Sequence, residues 1–204
     1  MSVDFWVSLG IIVIAIVGVF LIGFVILYSM FFKKAHQGKA LVKTGAGGSK
    51  VSFSGMWVFP VFHRLEIIDI SVKRVEIDRE GKEGLICRDN MRADIKVAFF
   101  VRVNPTVEDV LKVAQSLGCE NGSNEQFLKA FFDAKFSEAL KTVGKGFDFV
   151  QLYTERVNFK EEILQVIGTD LNGYILDDAA IDYLEQTSLD SLNPDNILDS
   201  EGIK

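Results

Sequence analysis

The sequence contains few of the residues from which catalytic and metal sites are usually built. Its 204 residues include only two histidines, His36 and His63, and two cysteines, Cys87 and Cys119. Two cysteines cannot form a disulfide framework, and two histidines so placed exclude an HExxH zinc site and a histidine-rich metal cluster. The sequence therefore predicts no catalytic residue, no metal site and no cofactor, and a Cys–His pair remains the one enzymatic alternative.

Proline-rich and compositionally simple segments are absent as well. The chain has 3 prolines and 17 glycines without any repeat, which excludes collagen-like chains, mucin-like stalks and long disordered linkers. Its length fits one or two domains. The net charge is −6, and a phosphate backbone is bound by a basic stripe. Nucleic acid is therefore not an expected partner.

Apolar residues are concentrated at the N-terminus. The 28 residues from Phe5 to Phe32 carry no charge, and about 20 apolar residues suffice to span a bilayer. A secretory signal peptide would have a basic start, a shorter apolar region and a cleavage site of small residues, whereas this segment begins with Asp4 and reaches Lys33 without such a site. The run predicts a retained transmembrane helix.

Aromatic residues lie at both ends of this run, where an interfacial belt would place them. We predict that they anchor the helix in the membrane: Phe5, Trp6, Tyr28, Phe31 and Phe32.

Positive charge follows the apolar run on one side only. Residues 33–50 contain five lysines and no acid, whereas the N-terminal side carries Asp4 and no base. The positive-inside rule therefore predicts an N-terminus outside the cell and a cytoplasmic C-terminal part. Lysines near an anionic bilayer gain about 1 kcal/mol each, although a simple stop-transfer flank explains them equally well. The predicted membrane-surface residues are Lys33, Lys34, Lys39, Trp57 and Phe59, of which the two aromatic residues could instead belong to the core.

Hydrophobic periodicity predicts an α+β fold. Every second residue from Ala93 to Val103 is apolar, and the residues between them are polar apart from Ala98 and Phe100, a pattern typical of a strand with one buried face. We further expect strands over 38–43, 50–53, 56–61 and 174–184. The expected helices begin after Thr106, at Ser123 with Gln126 completing a capping box, and near Asn158, the last ending near Leu171.

Candidate ligand sites are poor. Gly45 to Lys50 resembles a phosphate-binding loop in composition, but Ser49 precedes Lys50 and a strand is expected next, so a turn is the better interpretation. Asp177, Asp178 and Asp182 could hold a cation only if they shared a face, and in a strand Asp177 would point away from the other two. Phe131 and Phe132 are adjacent on a predicted helix that is rich in phenylalanine, so they cannot both point to the core. One of them could contact the membrane surface or a neighbouring subunit.

Three segments carry a family resemblance: KALVKTGAGGSKV, MRADIKVAFFVRV and, most specifically, residues 161–204, which begin EEILQVIGTDLNGYILDDAAIDYLEQ. They resemble the bacterial inner-membrane flotillin-like proteins of the SPFH (stomatin, prohibitin, flotillin; band 7) superfamily. The resemblance implies an N-terminal transmembrane helix followed by an α+β SPFH domain in two subdomains, large homo-oligomeric rings or cages, and a scaffolding role in membrane microdomains. It also implies a membrane protein of the NfeD family as a partner.

The domain boundaries follow from these expectations. Flotillin-like chains continue into a long coiled coil, and residues 33–204 contain no sustained heptad. The predicted parts are an anchor over 1–33, a strand-rich first SPFH subdomain over 34–104, a helical second subdomain over 105–187, and an acidic lead-in over 188–204 to a missing coiled coil.

Two functions remain open beside an enzyme built on the cysteines. The first is a membrane-anchored, non-enzymatic scaffold at the bacterial inner membrane, with its subunit interface on the polar face of the strand over 92–103: Arg92, Asp94, Lys96 and Arg102. The second is a regulatory subunit that binds and restrains a membrane protease or transporter.

Overall fold

The computed structural model of the chain describes residues 3–168 and 171–193, and gives only the backbone for residues 3–5 and 7–9. It contains helices and strands in mixed order, which confirms the predicted α+β class. The chain divides into two compact units, Met1–Glu66 and Ile67–Lys204. The predicted subdomain boundaries remain predictions, and most of the predicted acidic lead-in lies outside the described residues.

The first unit begins with a long helix. The helix α1 spans Val3–Phe31, and four short strands follow it: β1 Phe32–Lys34, β2 Lys39–Gly45, β3 Lys50–Ser52 and β4 Gly55–Trp57. The strand β5, His63–Asp69, carries the chain across the boundary between the units. β1 pairs with β4, and β2 lies between β3 and β5. The strand predicted over 56–61 is shorter than expected, since β4 ends at Trp57.

The glycine-rich stretch after β2 is a turn, as predicted. Gly47 and Gly48 have positive φ values of 90° and 84°, and β3 follows without a helix. Gly45 has a φ of 137°, and a Cβ atom there would lie 2.2 Å from the carbonyl oxygen of Phe62. Only glycine fits that close approach of two backbone segments.

The second unit is built on one sheet. Its strands are β6 Lys73–Arg79, β7 Leu85–Ile86, β8 Arg92–Val103 and β9 Tyr174–Gln186. The other three all pair antiparallel with β8. Every second residue of β8 from Ala93 to Val103 is at most 1% exposed, so the predicted alternation is confirmed.

In the part of the second unit that the structure describes there are four α-helices: α2 Val107–Ser116, α3 Glu125–Gly144, α4 Phe149–Thr154 and α5 Arg156–Ile167. The predicted N-cap Thr106 is confirmed, since its hydroxyl accepts a hydrogen bond from the Asp109 amide at 3.1 Å. The predicted cap Ser123 is wrong. Asn124 caps α3 through its side-chain oxygen, which accepts from the Gln126 amide at 2.9 Å, and the Ser123 hydroxyl instead donates to the carbonyl of Cys119.

The third predicted helix also needs correction. α5 begins two residues before Asn158 and ends at Ile167, because Gly168, with a φ of 72°, terminates it before Leu171. The short helix α4 was not predicted.

Aromatic side chains of α3 form the centre of the core. Phe136 packs on Phe99 of β8 and on Phe132, with ring centroids 4.4 and 5.1 Å apart. Phe132 also meets the edge of Tyr174, whose hydroxyl donates to the Gly122 carbonyl at 2.9 Å. Phe131 is 37% exposed while Phe132 is buried, so the prediction that these neighbours face different ways is confirmed.

Candidate membrane-anchoring site

The helix α1 has the physical properties of a membrane span. Over Gly10–Phe31 its mean hydropathy is 3.2, and among the described residues this is the one helix long and apolar enough to cross a bilayer. Its described side chains are exposed on nearly every face. A helix that is apolar all round and uncovered by protein is a candidate membrane span.

The helix enters the first unit without a linker. β1 starts at Phe32, the residue after α1 ends, and its three residues pair with the three of β4. Two further backbone hydrogen bonds extend this contact: the Val58 amide donates to the Phe31 carbonyl at 2.9 Å, and the Ala35 amide to the Ser54 carbonyl at 2.8 Å. The end of the helix is therefore fixed to the strand pair by its own backbone.

Three rings, Tyr28, Phe32 and Trp57, reinforce this connection, and we call them the aromatic junction. The Trp57 ring meets Tyr28 edge-on with centroids 4.1 Å apart, and lies 5.6 Å from Phe32. Edge-to-face pairs of this kind contribute about 0.5–1.5 kcal/mol each beyond the area they bury. A second pair, Phe31 and Phe59, has centroids 5.2 Å apart.

An apolar loop, residues 58–62, follows β4. Phe59, Val61 and Phe62 are 43%, 86% and 65% exposed. His63 fixes the base of the loop, since its Nδ1 accepts from the Phe59 amide at 3.3 Å while its Nε2 lies 3.1 Å from the Ala46 carbonyl oxygen. A neutral ring with its proton on Nε2 satisfies both contacts. The loop thus presents exposed apolar side chains at a position that His63 fixes.

The charges of this unit suit an anionic surface. Residues 33–66 contain six basic residues and one acid, Glu66. Lys33, Lys34 and Lys39 are exposed, as membrane-surface residues must be. Lys43 differs, because its ammonium donates to the Trp57 carbonyl at 3.1 Å.

The structure brings together most of the predicted anchoring residues. Tyr28, Phe31 and Phe32 meet Trp57 and Phe59 at one end of α1.

Two predicted anchoring residues lie apart from this group. Trp6 lies near the other end of the helix, 59% exposed, and the side chain of Phe5 lies outside the described residues. Val61 was not predicted as a membrane-surface residue. The sequence signal that could have indicated it is Pro60, a turn residue that lies between two apolar residues. The assignment of these residues to a membrane surface remains a prediction.

The four residues predicted to line a subunit interface all have partners within the chain. Arg92 is 9% exposed, and its Nη1 donates to the Lys82 carbonyl at 2.8 Å. Asp94 accepts from the Gly81 amide at 2.8 Å. The other two are ion pairs, Lys96–Glu76 at 3.7 Å and Arg102–Asp177 at 2.8 Å. Lys96 and Arg102 are the more accessible pair, and the interface role of all four remains a prediction.

The three aspartates of β9 that were considered as a cation site each have a basic partner. Asp177, Asp178 and Asp182 are paired separately with Arg102, Lys160 and Arg74, at 2.8, 2.9 and 2.5 Å. No group of three metal-ligating side chains occurs among the described residues.

The two thiols are buried. Burial raises the pKa of Cys87 to about 12, and the negative charges of Asp89 and Asp148 add to this effect. A thiol that is protonated at neutral pH is a poor nucleophile, so the surroundings of Cys87 are those of a structural residue.

Comparison with known proteins agrees with these features. The model of the SPFH domain / Band 7 family matches residues 33–185. The flotillin family inner membrane protein YqiK of Escherichia coli is 36% identical over 99% of this chain and 36% of its own length. The flotillin family inner membrane protein sll1021 of Synechocystis is 28% identical over 95% of this chain and 29% of its own length. The chain thus spans about a third of the length of these relatives.

Both relatives are named inner membrane proteins, and α1 supplies a helix of the kind such a location requires. The family match covers most of the residues that follow this helix. The chain belongs to the SPFH domain / Band 7 family.

Proposed function

We propose that the chain is the membrane-anchored part of a non-enzymatic scaffold that assembles into a large homo-oligomeric ring or cage and organises a membrane microdomain. Membership of the SPFH family and the names of the flotillin-family relatives support a scaffolding role at a membrane. The observation that carries the proposal is the direct connection of α1 to β1, clamped by the aromatic junction.

This connection has a mechanical consequence. A flexible linker would let a domain rotate freely above the bilayer, whereas here the first strand pair follows the membrane helix without an intervening residue. Neighbouring subunits that associate through their first units would therefore also fix the positions of their helices and of the lipids around them. The apolar loop and the exposed lysines would add contacts with headgroups.

We propose the inner membrane as the location, with the N-terminus outside and the SPFH domain in the cytoplasm, because the lysines lie on the C-terminal side of α1. Fusions test this orientation. A C-terminal green fluorescent protein should be fluorescent and a C-terminal alkaline phosphatase inactive, and the opposite pair of results would reverse the assignment.

For assembly we propose a head-to-tail contact repeated around a closed ring, which buries surface on every subunit without requiring any one contact to be strong. Lys96 and Arg102 are the accessible members of the predicted interface, with side chains 38% and 34% exposed. Their double charge reversal, K96E with R102E, should shift cross-linked products in intact membranes to fewer subunits.

The matched control for charge is K129E with K135E, which reverses two exposed lysines on α3. A ladder of cross-linked products that is the same in wild type and K96E/R102E would remove this face from the proposal. Thermal unfolding of the same samples separates lost assembly from lost folding.

An NfeD-family membrane protein is the proposed partner, on the family resemblance alone. Purification after gentle solubilisation distinguishes this role from the regulatory alternative. Recovery of a membrane protease or transporter in stoichiometric amount, without a large homo-oligomer, would favour the regulatory subunit.

A further inference from the structure

A cleft of about 580 Å³ lies in the second unit, between the sheet and the C-terminal part of α3. This volume is within the range of about 300–1,000 Å³ in which proteins hold small ligands. Five basic residues line it: Arg79, Lys82, Arg92, Lys141 and Lys145. The remaining lining comprises two acids, Glu83 and Glu138, together with Gly84, Ile86 and Thr142.

Two of the bases are arginines held in fixed positions by the fold. Arg92 is 9% exposed on the central strand β8, and its Nη1 donates to the carbonyl of Lys82. Arg79, at the end of β6, pairs with Asp133 at 2.6 Å and donates to the Ser137 hydroxyl. Because both guanidinium groups are oriented by protein contacts, little conformational entropy would be lost when a ligand binds beside them.

Arg79 has an unmet hydrogen-bonding requirement. Its Nε–H is buried and has no acceptor among the described residues. Oε2 of Glu83 lies 4.0 Å from this nitrogen, which is too far for a hydrogen bond. A buried donor without an acceptor is unfavourable. An oxygen atom of a bound ligand would accept this hydrogen bond, as would the Glu83 carboxylate if it moved inward when the ligand binds.

The three lysines supply mobile positive charge at the rim. Lys82, Lys141 and Lys145 are exposed, and their ammonium groups have no acidic partner among the described residues. Lys141 and Lys145 are four residues apart at the end of α3 and so lie on the same side of the helix. Five bases and two acids line the cleft, and Asp133, the partner of Arg79, can be counted as a third acid. The remaining excess of two positive charges matches the charge of one phosphate dianion.

We propose that this cleft binds a small phosphate-bearing anion. Arginine forks and lysine ammonium groups are the side chains that hold phosphate oxygens in proteins, and Glu83 and Glu138 would accept hydrogen bonds from hydroxyl groups on the rest of the ligand. The phosphate can belong to a soluble metabolite or to the headgroup of an anionic lipid. The cleft takes no part in the anchoring described above, so the scaffold proposal and this one can fail separately.

Isothermal titration calorimetry of the whole chain in a neutral detergent tests the site with three probes: pyrophosphate, adenosine 5′-monophosphate and dihexanoylphosphatidic acid. The K141Q/K145Q variant should weaken binding at least about tenfold, because two charge-assisted contacts are lost. K129Q is the control, matched to the single variants K141Q and K145Q. Each of these three changes removes one positive charge, and Lys129 is an exposed residue of the same helix that does not line the cleft.

Binding of pyrophosphate or the nucleotide that depends on Lys141 and Lys145 but not on Lys129 would support a soluble ligand. The same dependence with dihexanoylphosphatidic acid alone would support a lipid headgroup. Absence of binding with all three probes, or equal weakening by K129Q, would overturn the proposal, and since all three lysines are exposed, circular dichroism should show every variant folded.

Discussion

Replacement of Trp57 by alanine should loosen the strand pair β1–β4 while the second unit stays folded. The Trp57 ring makes two aromatic contacts, with Tyr28 at 4.1 Å and with Phe32 at 5.6 Å between centroids. At about 0.5–1.5 kcal/mol for each pair, their loss costs about 1–3 kcal/mol. The middle of this range, about 2 kcal/mol, corresponds to a roughly 30-fold increase in the population of locally open strand pair.

Hydrogen exchange measured by mass spectrometry on the protein in lipid nanodiscs reports this opening directly. Peptides that cover residues 32–34 and 55–57 should exchange faster in W57A, and peptides from β8 should not change. W57F keeps a ring in place and should show a smaller effect. F62A is the control for the loss of an aromatic residue, because Phe62 is 65% exposed. Unchanged exchange in W57A, or an equal increase in F62A, would refute the structural role of the aromatic junction.

Three further predictions concern the second unit. F136A should lower its stability by about 3–5 kcal/mol in denaturant unfolding, and F131A by clearly less, since Phe136 is fully buried and Phe131 is 37% exposed; similar losses would contradict the assigned core. Cys87, with its pKa raised to about 12 by burial, should stay unmodified by a thiol reagent at pH 8 until the chain is denatured, and rapid labelling of the folded protein would show an open site. The hydrogen bond from Arg88 holds the pKa of Asp148 below its usual value of 3.8. The stability that this ion pair gives is therefore present above pH 3.8 and is lost as the pH falls through the lower pKa of the folded state. D148N should make the melting temperature less dependent on pH in this acid range, and an unchanged dependence would contradict the pairing.

Local sequence patterns predicted correctly those elements whose signal lies within a few neighbouring residues, such as one buried strand face or one helix cap. The alternation over residues 92–103 placed β8 correctly, because a central strand buries every second side chain. Thr106 was recognisable as a cap because its partner, the Asp109 amide, is three residues away. The anchor followed from the length of the uncharged run alone.

The errors arose where several signals compete or are too short. Ser123 and Asn124 are both good cap residues, and tertiary contacts decide between them: the Ser123 hydroxyl accepts from the Asp69 amide at 2.9 Å, which leaves Asn124 to cap α3. α4 has only six residues, less than two turns, so no apolar periodicity could reveal it.

The candidate sites depend on contacts that a sequence pattern does not contain. Trp57 meets Tyr28 because the register of β1 against β4 places Trp57 opposite Phe32. The separate basic partners of Asp177, Asp178 and Asp182 follow from the register of β8 with β6 and β9 and from the packing of α5.

Particle size tests the central claim most directly. Negative-stain imaging and mass photometry of the gently solubilised protein should show uniform closed rings or cages of many subunits if the chain forms a membrane scaffold. Monomers or dimers at every detergent and protein concentration would contradict the scaffold and would direct attention to a partner that the domain restrains.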